Sequence, residues 1–393
     1  MHDLRVWDAD NHLYETTEAF TRHLPAAYAG AIRYVEVEGR TKIVIKNQIS
    51  DYIPNPTFDV VASPGAWENY FRGINPAGKS LRELANPIRC PKEFRDPDQR
   101  ITVLDRQGVE ATLMFPTLAS LLENRLSGDI DLTHEVIHAL NQWIYDEWSF
   151  NHHDRIFAVP IITLPDPLRA VEELEWVVER GARTVLVRPA PVPTRDGRSD
   201  SPGKPYYDPF WKAVQQIGIP VMMHGSDSGY DRRAQEWDGP RDEYLPFRPD
   251  PFRLAIDEGR PIHDTMAALI CHGMFDRNPG VRVAAVETGT HWVPRLLKNL
   301  TKAFSKAPGE FGYDPVERFR ENVWVHPFHE DDVAAVVDLV GEDHVLFGSD
   351  YPHPEGLADP ISFLDELTDL DETVQAKIMG GNLRDLLTAR PAA

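Results

Sequence analysis

From residue 99 onward, apolar positions alternate between two periods. Short unbroken runs rich in Val and Ile recur, and each is followed by a stretch with apolar residues at helical spacing. Unbroken apolar runs suit parallel strands buried on both faces. The longer stretches suit helices laid over them. Residues 4–7 read as a first strand, and 110–116, 155–163, 183–189 and 219–224 as the second to fifth. Residues 281–287, 322–326 and 344–348 complete the series. The intervening helices are predicted over 99–107, 131–150, 167–180, 208–217, 263–275, 293–304 and 331–340. Leu132, Val136, Leu140 and Ile144 mark one helical face. Two more helices are predicted near 360–369 and 372–388. Eight strand–helix units predict an α/β fold, a (β/α)8 TIM barrel, over an open doubly wound sheet. No Gly-rich dinucleotide fingerprint follows any strand, which argues against a Rossmann fold.

Residues 30–98 interrupt this rhythm as an insertion after the first strand. Residues 32–48 read as a hairpin turning at Glu38-Gly39-Arg40. Residues 49–98 are rich in Pro, Asn and Gly, with Trp67, Tyr70 and Phe71 interleaved. A long aperiodic stretch with aromatics predicts a packed lid over the strand ends. The whole chain, 1–393, reads as a single barrel domain carrying this lid.

Composition narrows the partners. Apolar residues make up 42% and charged residues 26%, values of an ordinary globular protein. The formal net charge of −21 disfavours bare nucleic acid and anionic membranes as partners. An anionic substrate then needs a local cationic patch. Cys90 and Cys271 form no CxxC, which fits a reducing compartment. No signal-peptide pattern and no spanning apolar run is read, so a cytoplasmic enzyme acting on a small molecule is expected, with a homo-oligomer left open.

The chemistry sits at strand ends. Asp10 and His12 are two apart and project from one face of an extended chain. Glu15 follows within reach of a turn. The fifth, sixth, seventh and eighth strands run into His224, Glu287, His326 and Asp350. Each alone could be a hydrogen-bonded polar cap. Together, in a barrel whose active site lies at the strand C-termini, they predict a divalent metal site. Its expected ligands are Asp10, His12, Glu15, His224, Glu287, His326 and Asp350. Glu287, His291 and His326 are the candidates for proton transfer, His291 lying one helical turn beyond Glu287. So many carboxylates suit Fe or Mn better than Zn. The loop after the fourth strand holds Arg188, Arg195, Arg198 and Lys204, the expected anion-binding rim.

Asp10-x-His12, His224 and Phe347-Gly348-Ser349-Asp350-Tyr351-Pro352-His353 resemble the amidohydrolase-related branch of the amidohydrolase superfamily. That group holds aminocarboxymuconate-semialdehyde decarboxylase, resorcylate-type decarboxylases and many metal-dependent hydrolases. The chain departs from the pattern at Asp10, where the family carries His or Glu, and at Glu287, where the decarboxylases carry His. The fourth strand offers no lysine to bridge two metals. Asp10-Asn11-His12 and Val325-His326-Pro327-Phe328-His329-Glu330-Asp331-Asp332 are similar to a narrower subgroup. It is linked to TIM-barrel nonheme diiron monooxygenation in diterpenoid biosynthesis, as for platensimycin and platencin. That resemblance implies two irons, O2 as co-substrate, and a hydrophobic, CoA-linked substrate. Glu15 and Glu287 would then serve a second metal, which would relieve repulsion expected to raise the Glu287 pKa. The alternatives are a mononuclear Zn or Mn hydrolase or nonoxidative decarboxylase, and a barrel whose metal is structural.

Overall fold

The computed structural model describes residues 4–239, 245, 250–257 and 259–389. Parallel strands form two four-stranded sheets. One contains Val6–Asp8, His12–Leu13, Val109–Pro116 and Ile156–Ala158. The other runs Val185–Leu186, Val221–His224, Val283–Val286, Val323–Val325. Single bridges cross between elements at Ile161–Leu186, Val325–Val345 and Asn11–Tyr351.

A continuous eight-stranded ladder is therefore not formed among the described residues, and the predicted eighth strand at 344–348 is not a strand. Its backbone groups are shared among several neighbours instead. Leu346 N–H donates to Val325 and Phe347 N–H to Ile378, while Phe347 C=O accepts from Ala9 N–H. The Asn382 side chain takes the Val345 carbonyl at 2.7 Å. These groups are satisfied without a ladder, as burial requires.

The helices begin and end where local chemistry dictates. Asp96 and Asp166 cap the helices Pro97–Gln107 and Pro167–Glu179 through their side chains, each with Pro in the first turn. Asp208–Ile217 stops at Gly218, whose φ of 76° suits a residue without Cβ. The predicted helix over 263–275 is two, Arg260–Cys271 and Met274–Arg277.

Strand side chains divide by period two. Ala111, Leu113 and Phe115, with Met222, Ala284 and Val286, join one cluster; Met114, Met223, Val283 and Ala285 join the larger core outside. Leu383, Leu386 and Leu387 of the helix Asn382–Thr388 pack into the first cluster.

The insertion is more ordered than its composition predicts. The hairpin gains a third strand: Ile32–Val37, Arg40–Ile45 and Gln48–Ser50 run antiparallel. Val60–Val61 pairs with Ile88–Arg89. Gly65 and Trp67 donate backbone N–H groups to the carbonyls of His353 and Pro354, at 3.2 and 2.7 Å. The insertion is thereby fastened to the loop that carries Asp350.

Candidate metal centre

Asp8 closes the strand Val6–Asp8, Asp10 follows it and His12 opens the strand His12–Leu13, all three buried. Asp8 accepts from the backbone N–H of Asp10 (3.0 Å) and Ser349 (2.9 Å) and from the side chains of Asn11 and Ser349. It ties the start of the chain to the Asp350 loop. Burial pushes its carboxyl up to about 7, against these hydrogen bonds. Buried Arg100 donates to the carbonyls of His12 (2.9 Å) and Glu93 (2.8 Å) and to the Asn11 side chain. These two supports were not among the expected site residues. Asp8 left a trace in the sequence as a polar residue beside the ligand pair; Arg100, 88 residues from His12, left none.

Above them the side chains converge. His12 Nε2 lies 3.3 Å from both Asp10 Oδ1 and Asp350 Oδ1, and 3.8 Å from Glu287 Oε2. His224 Nε2 lies 3.2 Å from Asp10 Oδ1 and 2.9 Å from Glu287 Oε2. Its Nδ1 donates to the Gly225 carbonyl at 2.9 Å, which turns Nε2 toward the carboxylates. The nitrogen or oxygen atoms of Asp10, His12, His224 and Glu287 all lie within 4.8 Å of one another. His12, Asp350 and His353 form a second such group, and Glu287, Asp350, His353 and Glu355 a third. Glu355 was not foreseen, because it follows a turn and not a strand.

The donor set fits a divalent cation. Asp10 Oδ2, His12 Nε2, Asp350 Oδ1, His353 Nδ1 and Glu355 Oε2 are buried and make no well-aligned hydrogen bond, although His353 Nδ1 and Asp350 Oδ1 stand 2.7 Å apart. Buried acceptors of this kind are costly, and a cation satisfies them together. Glu287 and Asp350 also hold left-handed backbone, with φ of 49° and 56°. Such strain gathers at functional sites. A Cβ on Gly348 would stand 2.8 Å from the His326 ring, so only glycine admits this packing.

Charge is unevenly shared. Burial alone would raise Asp10, but the charge of His224 and hydrogen bonds from His12 and His224 hold it well below the usual range. Burial pulls His12 down to about 3, with His353 adding to it. Burial, Glu287 and Asp10 push Asp350 well above the ordinary carboxyl value. The raised pKa expected of Glu287 thus falls on Asp350. Burial opposes, but His224 holds Glu287 low.

Other expected residues stand apart. Both oxygens of Glu15 accept backbone N–H groups, from Ala119 (2.9 Å) and Leu118 (3.0 Å), so it braces a turn and is not brought into the cluster. His326 lies beside the cluster with both ring nitrogens engaged. Nδ1 accepts Glu287 N–H at 3.2 Å, and Nε2 donates to the Gly348 carbonyl at 3.1 Å. His291 is exposed before the helix Trp292–Lys306 and belongs to none of the ligand groups. Arg195, Arg198 and Lys204 do not line the cavity over the cluster; they pair with Asp131, Asp196 and Asp200, the first and last at 2.9 and 2.5 Å. Short links to acidic neighbours on the same surface explain why. Arg188 faces a different cleft.

The cluster floors a cavity of about 880 Å³. Tyr52, Phe58, Trp67 and Phe71 of the insertion line it, together with Phe363. Arg40 and Arg82, two cations the sequence did not single out, also line it.

The Amidohydrolase family model, Amidohydro_2, matches residues 8–388. An amidohydrolase from Mycobacterium avium subsp. paratuberculosis K-10 superposes with a TM-score of 0.93 and 42% identity, over 98% of this chain and 100% of that one. A dihydroxybenzoic acid decarboxylase from Polaromonas sp. JS666, solved with manganese and 2-nitroresorcinol, shares the fold. Its TM-score is 0.56 and its identity 19%, over 82% of this chain and 93% of that one. Gamma-resorcylate decarboxylase from Rhodococcus jostii RHA1 is 25% identical over 65% of this chain and 77% of its own length. The decarboxylase of 2-amino-3-carboxymuconate-6-semialdehyde from Dictyostelium discoideum is 26% identical over 47% of this chain. The match spans about half (48%) of that relative's length.

These relatives overturn the diiron monooxygenase expectation: they are an amidohydrolase and decarboxylases, and a manganese ion accompanies one. Paired iron, O2 and a CoA-linked substrate rested on that expectation, and these relatives do not show them. No helix among the described residues is long and apolar enough to cross a membrane. With a family model spanning residues 8–388, the chain belongs to the Amidohydrolase family and takes its α/β barrel fold.

Proposed function

We propose that this protein is a divalent-metal-dependent, nonoxidative decarboxylase of a small aromatic acid. The observation that carries the reading is the set of buried ligand atoms without well-aligned hydrogen bonds at the base of a largely apolar cavity. The names of its decarboxylase relatives supply the reaction class.

On this reading Asp10, His12, His224 and Asp350 hold one cation. When bound, it supplies positive charge to polarise substrate oxygens. The substrate ring rests against the apolar wall, with the insertion as a lid that excludes water. Glu287, held ionised by His224, takes the proton of a substrate phenol and delivers it to the ring carbon as the bond to the carboxyl carbon breaks, so that CO2 and a phenolate leave. His326 positions Glu287 through its backbone N–H. Arg40 and Arg82 draw the acid to the mouth against the negative charge of the whole protein.

The test is CO2 release from a panel of hydroxybenzoic acids under strict exclusion of O2, with metal measured by elemental analysis. About one divalent ion per chain and turnover without O2 are expected. Turnover that stops without O2, or cleavage of amide substrates with no CO2 from any acid, would overturn the reading.

A further inference from the structure

A smaller cleft of about 200 Å³ lies beside the apolar cavity. Arg188, Arg232 and Arg233 line it, with Ser127, Ser199 and Ser228. Among the described residues no carboxylate lines it. In a protein of net charge −21, three guanidinium groups around one hollow call for a counter-charge.

The neighbours supply only part of it. Arg188 Nη1 approaches the Asp227 carbonyl at 3.4 Å, and the charges of the Glu123 and Asp227 carboxylates both act on Arg188. Arg233 stands 3.9 Å from the Asp264 carboxylate, its guanidinium over the Tyr230 ring. Arg232 has no ion pair among the described residues. Guanidinium forks and hydroxyls together match the donor pattern of a tetrahedral oxyanion.

The cleft shares walls with the metal cavity. Gly225 and Ser226 line the large cavity, and Ser228 and Gly229 the small one, on one loop after the strand Val221–His224. Ser120 and Asn124 divide in the same way. An anion here sits beside whatever occupies the metal cavity.

We propose that the cleft formed by Arg188, Arg232 and Arg233 binds a phosphate-type oxyanion, either the free ion or a phosphomonoester. Two exposed side chains make the test independent of folding. Inorganic phosphate and phenyl phosphate are titrated separately into the metal-loaded protein by calorimetry. Saturable binding is expected, weakened about tenfold or more in the Arg232→Gln/Arg233→Gln variant, with metal content and thermal midpoint unchanged. Equal affinity for both ligands assigns the site to the ion alone. Tighter, arginine-dependent binding of phenyl phosphate assigns it to an ester. Binding that survives the double substitution belongs to the metal centre and overturns the proposal, as does no saturable binding of either ligand. Since the readout is binding and not turnover, its failure is distinct from failure of the decarboxylase reading.

Discussion

Thr117 has a single hydroxyl proton, and the Leu13 carbonyl takes it at 2.8 Å. Its oxygen is left to accept from the rings, His353 Nε2 at 3.1 Å and His12 Nδ1 at 3.4 Å. Those bonds turn the opposite nitrogen of each ring toward the carboxylates. Thr117→Val keeps the shape and removes the acceptor. Roughly 10–100-fold weaker metal binding is expected, as for other outer partners of ligating histidines. A chelator-competition titration reads it, and unchanged affinity would deny Thr117 this orienting role. Glu287→Gln probes the chemistry instead. On the proposed mechanism the variant keeps its metal and loses about 10²–10⁴-fold in turnover. Loss of the metal would make Glu287 a ligand and not the proton donor.

Elements act here as mounts for such residues. The helix Pro167–Glu179 is entered through Asp166, whose backbone N–H donates to buried His134 Nε2 at 3.2 Å. Burial, with Arg169 nearby, pulls His134 down to about 4. A depressed histidine binds fewer protons folded than unfolded. Its contribution is therefore full above the unfolded value of about 6.5 and is lost as pH falls toward 4. The loss amounts to at most about 3 kcal/mol. Denaturant unfolding across that window should show this slope, and His134→Gln should flatten it. The insertion makes a separate demand. Trp67 and Phe71 line the cavity. Trp67→Ala should raise KM about tenfold or more with metal content unchanged, the scale of lost apolar contact in a pocket. A KM equal to wild type would show that the insertion does not hold the substrate.

At the scale of the whole molecule, the two sheets meet where the ligands sit. Backbone bonds from Ala9 to Phe347 and from Asp350 to Asp10, both 2.8 Å, join the first strand to the last segment. The cluster itself spans both sheets, with His12 on one and His224 on the other. A cation there cross-links the barrel and satisfies buried carboxylates that otherwise repel. Chelation should lower the thermal midpoint by several degrees, and Mn²⁺ should restore it, in line with roughly 4 kcal/mol for a ligand at a thousand times its Kd. An unchanged midpoint would mean the cluster holds no structural ion.

Periodicity alone determined the alternation of strands and helices, because burial on two faces or one imprints directly on apolar spacing. It also marked Asp10, His12, His224, Glu287 and Asp350, since a charged residue closing an apolar strand stands out locally. Contacts between distant segments decided the rest. Glu15 looked like a ligand by distance along the chain, yet the turn at Leu118 and Ala119 claims both its oxygens. Arg195, Arg198 and Lys204 looked like an anion site by proximity in sequence, yet each found an acid nearer than any cavity. Asp8, Arg100, Thr117 and Glu355 gain their roles only when the first strand, the helix Pro97–Gln107 and the Asp350 loop are brought together. The interruption of the ladder at 344–348 has the same origin: Ile378 and Asn382, more than thirty residues on, compete for its backbone groups. Spacing records what a residue does for its own element. What a side chain does for the site depends on which partner reaches it first in space, and only the folded chain sets that.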